Sequence, residues 1–236
     1  MGYVMEMCNI IETLVSLDED VKKMEVFIAY TIAWKESNIS IDKSYPFEIE
    51  IQKLIDYIRN KYTLETLKND IVVRAYREFF WRIGIDPTKT RPSSEALVRR
   101  ALRGSFPRVN PVVDAGNIAS AYTMVPIGIY DLDYCKLPLI LRLSKGDEIF
   151  RPIGGSEEKL ERDIPILVDS KNTVMHIYPH RDSIETMIRD STHRILIIAA
   201  GVDRVDRDLV KKAAELVASL LTKIGWNWCK NVILKP

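Results

Sequence analysis

Hydrophobic and polar positions fall into three textures along the chain. Val26 to Trp34 (VFIAYTIAW) is β-branched and aromatic with apolar residues on both faces, which predicts a central strand. From Tyr45 to Ile83 the spacing turns helical, with Ile51, Leu54, Ile55 and Ile58 on one face. Leu64 and Leu67 follow, then Val72, Ala75, Tyr76, Phe79 and Phe80, and Gly84 ends the run. Ser93 or Ser94 is expected to cap a helix with Ala96, Leu97, Ala101 and Leu102 inward, ending at Gly104. Asp114 is expected to cap a short helix through Ala121.

Past Pro126 the pattern changes to short strands with turns. The segments are Ile127–Tyr130, Leu139–Leu143, Glu148–Arg151, Ile166–Asp169, Val174–Ile177 and Arg194–Ala199. A last helix, Asp206 to Ile224, would turn Leu209, Ala213, Leu216, Val217 and Leu220 inward, and Met1 to Glu19 has room for a short strand and turn. Helices first and strands later, without regular alternation, predict an α+β fold. The expected organisation is one domain over 1–236. A strand and helical layer fills 1–85, and the motif-bearing region fills 86–236.

Composition narrows the class. With 236 residues, 47% hydrophobic, 28% charged and a net charge of +1, the chain reads as a globular protein without a global electrostatic case for nucleic acid. A local case rests on Lys89, Arg91, Arg99, Arg100, Arg103 and Arg108, opposed nearby by Asp86 and Glu95; a solvated helix face is the plainer reading. Cys8, Cys135 and Cys229 are far apart, so the expectation is three unpaired thiols in a reducing, cytoplasmic setting. No apolar run approaches the ~18 residues of a membrane span, and the N-terminus lacks a signal-peptide pattern. Asn38-Ile39-Ser40 fits the glycosylation pattern but carries no meaning without secretion. A single glutamine, Gln52, beside many Ile, Arg, Lys and Glu gives a thermophile-like composition.

Candidate chemistry concentrates between Arg91 and Asp131. RPSSEALVRR, NPVVDAGN and PIGIYDLD place Glu95, Asn110, Asp114, Asn117 and Asp131 beside Pro, Val and Ile. Buried polar groups cost a few kcal/mol each unless paired, so this stretch builds either a structural network or a pocket. Glu95 reads as a capping-box partner or as an acceptor for an ammonium or hydroxyl group. Asp114 and Asn117 read as a helix-start network or a ligand-orienting pair. Arg181, Asp182 and Thr186 share the HRDSIET loop, either as an anion clamp or as a salt-bridged surface. His176 and His180 would suit a metal only on a helix, and Pro179 between them argues against one; no metal or cofactor is expected. Neither GxSxG, GxGxxG nor GxxxxGK[ST] occurs.

The order of these motifs, continued by LRLSKGDEIF, IPILVD and RDSIETMIRDSTHRILI, resembles the tRNA-editing module of the phenylalanyl-tRNA synthetase beta subunit. That module is the third and fourth repeats of the subunit. The likeness runs from about Pro87 to Gly201 and is greatest to free-standing relatives without a catalytic core. It implies an α+β fold with a central antiparallel sheet flanked by helices, and a pocket between its halves. It also implies hydrolysis of tyrosine wrongly esterified to the phenylalanine tRNA, and hence an aminoacyl-tRNA or other RNA, or an amino-acid-like small molecule, as partner. Asp114, Asn117, Pro126 and Asp131 match the pattern. Bacterial forms carry a histidine two places after the proline, where this chain has Gly128. Two functions follow: an aminoacyl-tRNA deacylase acting in trans, or a non-catalytic RNA- or ligand-binding module that keeps the ancestral pocket. A third possibility is that the polar cluster is purely structural.

Overall fold

A computed structural model describes residues 8–36 and 46–236. The Asn38–Ser40 tripeptide, Met1 to Met7 and Tyr45 lie outside them. Twelve strands and six helices are labelled among the described residues. β1 (Val15–Leu17), α1 (Glu19–Lys22) and β2 (Phe27–Trp34) open the chain, followed by α2 (Glu48–Lys61), α3 (Ile71–Arg82), α4 (Ser93–Leu102) and α5 (Pro111–Thr123). Then come β3 (Ile127–Asp131), β4 (Leu139–Lys145), β5 (Ile149–Phe150), β6 (Glu158–Lys159), β7 (Arg162–Val168), β8 (Val174–Ile177) and β9 (Arg181–Asp182). β10 (Arg194–Gly201), α6 (Arg207–Thr222), β11 (Asn227–Trp228) and β12 (Ile233–Lys235) close it.

The α+β class holds, and the strands divide into two facing sheets and a separate two-stranded pair, β5-β6. One has the order β11-β2-β10-β3, with β12 also on β2; every pairing in it is antiparallel. The other runs β1-β4-β7-β8-β9, with β1 parallel to β4 and the rest antiparallel. β2 is buried from Phe27 to Ala33, as its two apolar faces require: one meets helices, the other meets the second sheet. α6 packs on β2 and β10, α5 on α6 and β3, and α4 on α5. Tyrosine hydroxyls tie these layers at the ends of β2 and β10. Tyr178 Oη lies 2.7 Å from Gly201 O and 3.0 Å from Phe27 O, and Tyr76 Oη donates to Ala200 O at 2.5 Å.

Several local expectations are corrected. Neither Ser93 nor Ser94 caps α4: Pro92 takes the N-cap position, and no side chain caps the helix. α5 begins at Pro111 and is capped by Asn110, whose Oδ1 accepts from Val113 N at 3.0 Å, so Asp114 sits inside the first turn. In α6 the buried stripe is Val210, Ala213, Ala214, Val217, Ala218, Leu220 and Leu221, while Leu209 and Leu216 are half-buried at its margin. Small residues line that stripe because the helix lies directly on β2 and β10.

The cysteine expectation is overturned. Cys8 and Cys229 form a disulfide across a sequence separation of 221 residues, joining the start of the described chain to the segment after β11. Spacing arguments cannot see such a pair, because only the fold brings its Cα atoms to 5.4 Å. The inference of a reducing compartment from unpaired thiols falls with it. Cys135 is free and buried, and burial, helped by Asp169 and Asp131, pushes its thiol up to about 12.

Candidate functional site

A cavity of about 130 Å³ lies between the two sheets, beside the start of α4 and the middle of α5. A cavity of about 150 Å³ accepts a benzene ring elsewhere, so this space suits an aromatic side chain. Its walls come from facing strands. β10 pairs Ile198 with Gly128 on one side and with Tyr30 on the other, so period-two alternation turns Gly128, Tyr130, Ile198 and Ile28 toward the second sheet. That sheet answers with Leu141, Leu167 and His176. Asn117 and Ser120 enter from α5, and Ser93 and Leu97 from α4.

Polar groups gather at one end. His176 is buried on β8, and its Nδ1 lies 2.8 Å from Asp182 Oδ1 on the neighbouring strand β9, where the two residues are direct register partners. A proton on Nδ1 shared with the carboxylate leaves the Nε2 lone pair free. Tyr130 also hydrogen-bonds Asp182 through its hydroxyl, and burial, reinforced by the Asp182 charge, drives its phenol far up, so it remains a donor. The ring centroids of Tyr130 and His176 are 6.0 Å apart. His180 follows in the turn after β8, edge-on to Phe80 at 5.5 Å, with its Nδ1 buried and unpartnered among the described residues. Burial, with lesser contributions from His176 and Arg181, lowers its pKa to about 3, so its imidazole is neutral across the physiological range.

Of the candidate binding residues picked from sequence, Asn117, Pro126, Gly128 and Asp182 line this cavity. The others go elsewhere. Glu95 is fully buried in a cationic cage: Arg77 donates from Nε at 2.8 Å and Nη2 at 2.6 Å, Arg99 donates from Nε at 2.7 Å, and Arg91 stands at 3.9 Å. Burial alone would raise its pKa, but the hydrogen bonds from Arg77 and Arg99 outweigh it and hold Glu95 below the ordinary carboxylate range. Asp114 is buried and accepts from Val109 N at 3.0 Å, pinning the entry to α5. Asp131 accepts from Thr192 Oγ1 at 2.5 Å and from Asp133 N at 2.9 Å. Arg181 turns outward onto Glu158 and the Phe150 ring, so the HRDSIET loop is no anion clamp. Its other members, Asp182 and Thr186, point inward and line a second cavity.

The basic patch also divides. Arg99 is held by Glu95, and Arg108 makes a bidentate pair with Glu48. Lys89, Arg100 and Arg103 are exposed, and Arg91 is left on the edge of the Glu95 cage.

Tyr130 was missed in the sequence, and His176, His180 and Asp182 were weighed there without being joined into one site. A spacing of four between histidines signals shared function only on a helix. Here the strand ends at Ile177, and the turn brings His180 back to the same cavity. Among the described residues, no three His, Cys, Asp or Glu side chains converge on a metal position, and no helix is long and apolar enough to cross a membrane.

Residues 75–225 match the B3/4 domain family. The phenylalanine–tRNA ligase beta subunit of Methanococcus vannielii is 30% identical over 128 residues, covering 45% of this chain and 23% of that protein. The crystal structure of an N-terminal fragment of the phenylalanyl-tRNA synthetase beta subunit from Pyrococcus horikoshii superimposes with a TM-score of 0.50 at 18% identity, over 94% of this chain and 54% of that one; it speaks to the fold alone. The chain therefore spans about a quarter of the curated relative's length and just over half of the solved fragment's. Since the family match covers well over half of its residues, the chain belongs to the B3/4 domain family and is related through it to phenylalanyl-tRNA synthetase beta subunits.

Proposed function

We propose that the cavity between the sheets takes the aminoacyl end of a mischarged aminoacyl-tRNA and hydrolyses its ester. The observation that carries this reading is the His176–Asp182 pair, oriented through Nδ1 and placed in a cavity of aromatic side-chain size. In this reading His176 Nε2 removes a proton from water as the water oxygen bonds to the ester carbonyl carbon. Asp182 keeps the imidazole in the required tautomer, and Tyr130 fixes Asp182. The resulting oxyanion finds backbone donors at the uncapped first turn of α4, beside Ser93. Collapse breaks the acyl–oxygen bond, and His176 returns its proton to the departing ribose oxygen. Asn117 is the polar side chain available to grip the amino-acid portion. The exposed cations Lys89, Arg100 and Arg103 would meet RNA phosphates, and their removal should weaken RNA binding and flatten its salt dependence. A tRNA substrate would be met in the cytoplasm, where the Cys8–Cys229 disulfide would have to persist against cellular reductants.

A second reading has its own observation. A Cβ at Gly128 would collide with the Tyr130 hydroxyl, so that hydroxyl fills the space where bacterial relatives are expected to carry a histidine side chain. A pocket remodelled in this way suits binding of an amino-acid-like ligand without turnover.

Deacylation of tyrosine esterified to the phenylalanine tRNA, with a panel of other mischarged tRNAs and the His176→Ala protein as control, separates the two. Turnover lost in the variant supports the hydrolase. Absence of turnover across the panel, with calorimetric binding of free aromatic amino acids retained, establishes the binding module.

A further inference from the structure

A groove of about 530 Å³ runs between α2 and α6, with α5, which packs on both, beneath it. Its apolar surface recurs at helical spacing: Leu54 and Tyr57 from α2, Ile118 and Tyr122 from α5, and Leu216 and Leu220 from α6. It shares no residue with the cavity between the sheets, which Asn117 and Ser120 line from another side of α5. Two observations bear on what this groove could hold.

The first is that its polar groups are already engaged while its apolar ones are open to water. Glu50 accepts from Lys223 Nζ at 2.7 Å, an ion pair that bridges the two walls, and Tyr57 Oη accepts from Lys61 Nζ at 3.2 Å. The rings of Tyr57 and Tyr122 lie against each other with centroids 5.1 Å apart, yet remain 37% and 46% exposed. Small ligands favour sites that enclose most of their surface, and this groove would leave one side of such a ligand in water. An amphipathic helix meets no such difficulty, because it buries one stripe and keeps its polar face solvated.

The second observation is charge. With Glu50 held by Lys223, the rim keeps Lys53 on α2 and Lys212 on α6, on opposite walls, against Glu215. Neither lysine is ion-paired among the described residues. A second copy seated by two-fold symmetry would bring one basic rim to another, whereas an acidic flank complements both walls at once. We propose that this groove docks an amphipathic helix of a partner protein, with an apolar stripe at i, i+3 or i+4, and i+7, and acidic residues on both sides of the stripe. The inference is independent of the hydrolase reading.

The test titrates two ~18-residue peptides, each about five helical turns, into the full chain by calorimetry. They share one leucine stripe, flanked by glutamate in the first and by lysine in the second. The glutamate peptide is expected to bind, and the lysine peptide to bind at least about tenfold more weakly. The double variant Lys53→Glu with Lys212→Glu, both exposed positions, should reverse that order. Ser219→Trp, at an exposed site on the α6 wall, should fill the groove and abolish binding of either peptide while the melting temperature stays put. Failure of both peptides, equal affinity for the two, or an order that survives charge reversal overturns the proposal. Dodecanoate bound where both peptides are refused would overturn it in favour of a lipid-like anion. Self-association of the chain that Ser219→Trp abolishes would overturn it in favour of a second copy. Because the readout is binding, a parent protein without deacylase activity would sink the hydrolase reading and leave this result standing.

Discussion

Two buried polar clusters lie within the same layers of this protein, and they differ in whether their demand for partners is met. Around Glu95, a fully buried carboxylate receives three hydrogen bonds from Arg77 and Arg99. Between the sheets, His180 Nδ1 is buried with nothing to bond among the described residues and His176 presents an oriented imidazole to a cavity; Thr186 Oγ1, at the edge of β3, is likewise buried and unpartnered. A satisfied cluster fixes the fold, whereas an unsatisfied one is stable only because the surrounding core tolerates it, and it gains when a ligand or water arrives. Charge alone would have ranked them the other way.

The largest expected effect sharpens this contrast on the cavity side. His176→Ala should lower the deacylation rate by about 10²–10⁴-fold, the usual contribution of a positioned base, while the loss of its buried ring lowers stability by about 1–3 kcal/mol, less than opening the Glu95 cage. Single-turnover hydrolysis and a melting curve on the same preparation check both halves. On the satisfied side, Glu95→Ala should do the reverse. Uncovering Arg77 and Arg99 should destabilise the fold by about 3–5 kcal/mol, and the fraction that stays folded should turn over normally. A variant that lost turnover yet melted like the parent would erase the distinction.

The Cys8–Cys229 link affects both clusters equally. Closing so long a loop stabilises by about 5 kcal/mol in the chain-entropy description, so Cys229→Ser should lower the urea midpoint without changing the specificity of the pocket. The unfolding midpoint with and without reductant measures it.

The last pair of effects appears on acidification. Glu148 is buried, which would raise its pKa, but hydrogen bonds from Arg142 and from the Lys145 backbone bring it down to about 2. Its stabilising contribution is therefore complete above the ordinary glutamate range and is lost as pH falls toward 2. His180 is lowered to about 3, so the unfolded chain binds a proton before the folded one does, and stability declines as pH drops from about 6.5 toward 3. An unfolding series between pH 7 and 3 should show the His180 decline first, and His180→Phe should remove the part that begins near pH 6.5.

The elements were largely legible because they depend on neighbours in sequence. The strand over Val174–Ile177 matches its expected bounds, and β2, β3, β10 and the last helix fall within a few residues of theirs. The helix caps were less legible: Ser93, Ser94 and Asp114 carry good capping side chains, yet Pro92 and Asn110 take the positions, since the path of the preceding loop decides which residue meets the free amides. The site was legible only in its frame. Asn117, Pro126 and Gly128 could be placed from motif order, but the partner of Glu95 could not, because Arg77 lies 18 residues upstream on another helix.

The sequence by itself determined the position of the longer strands and helices, the α+β class and the family likeness, since periodicity and motif order are properties of short stretches of chain. Tertiary structure alone decided that Glu95 is caged, that Cys8 meets Cys229, that the strands divide into two facing sheets and a separate pair, and that two histidines of unremarkable spacing share one cavity. The physical reason is the range of each interaction. Helix and strand preferences act over a few residues, whereas the fate of a buried charge, thiol or imidazole depends on which distant group the fold brings within about 3 Å.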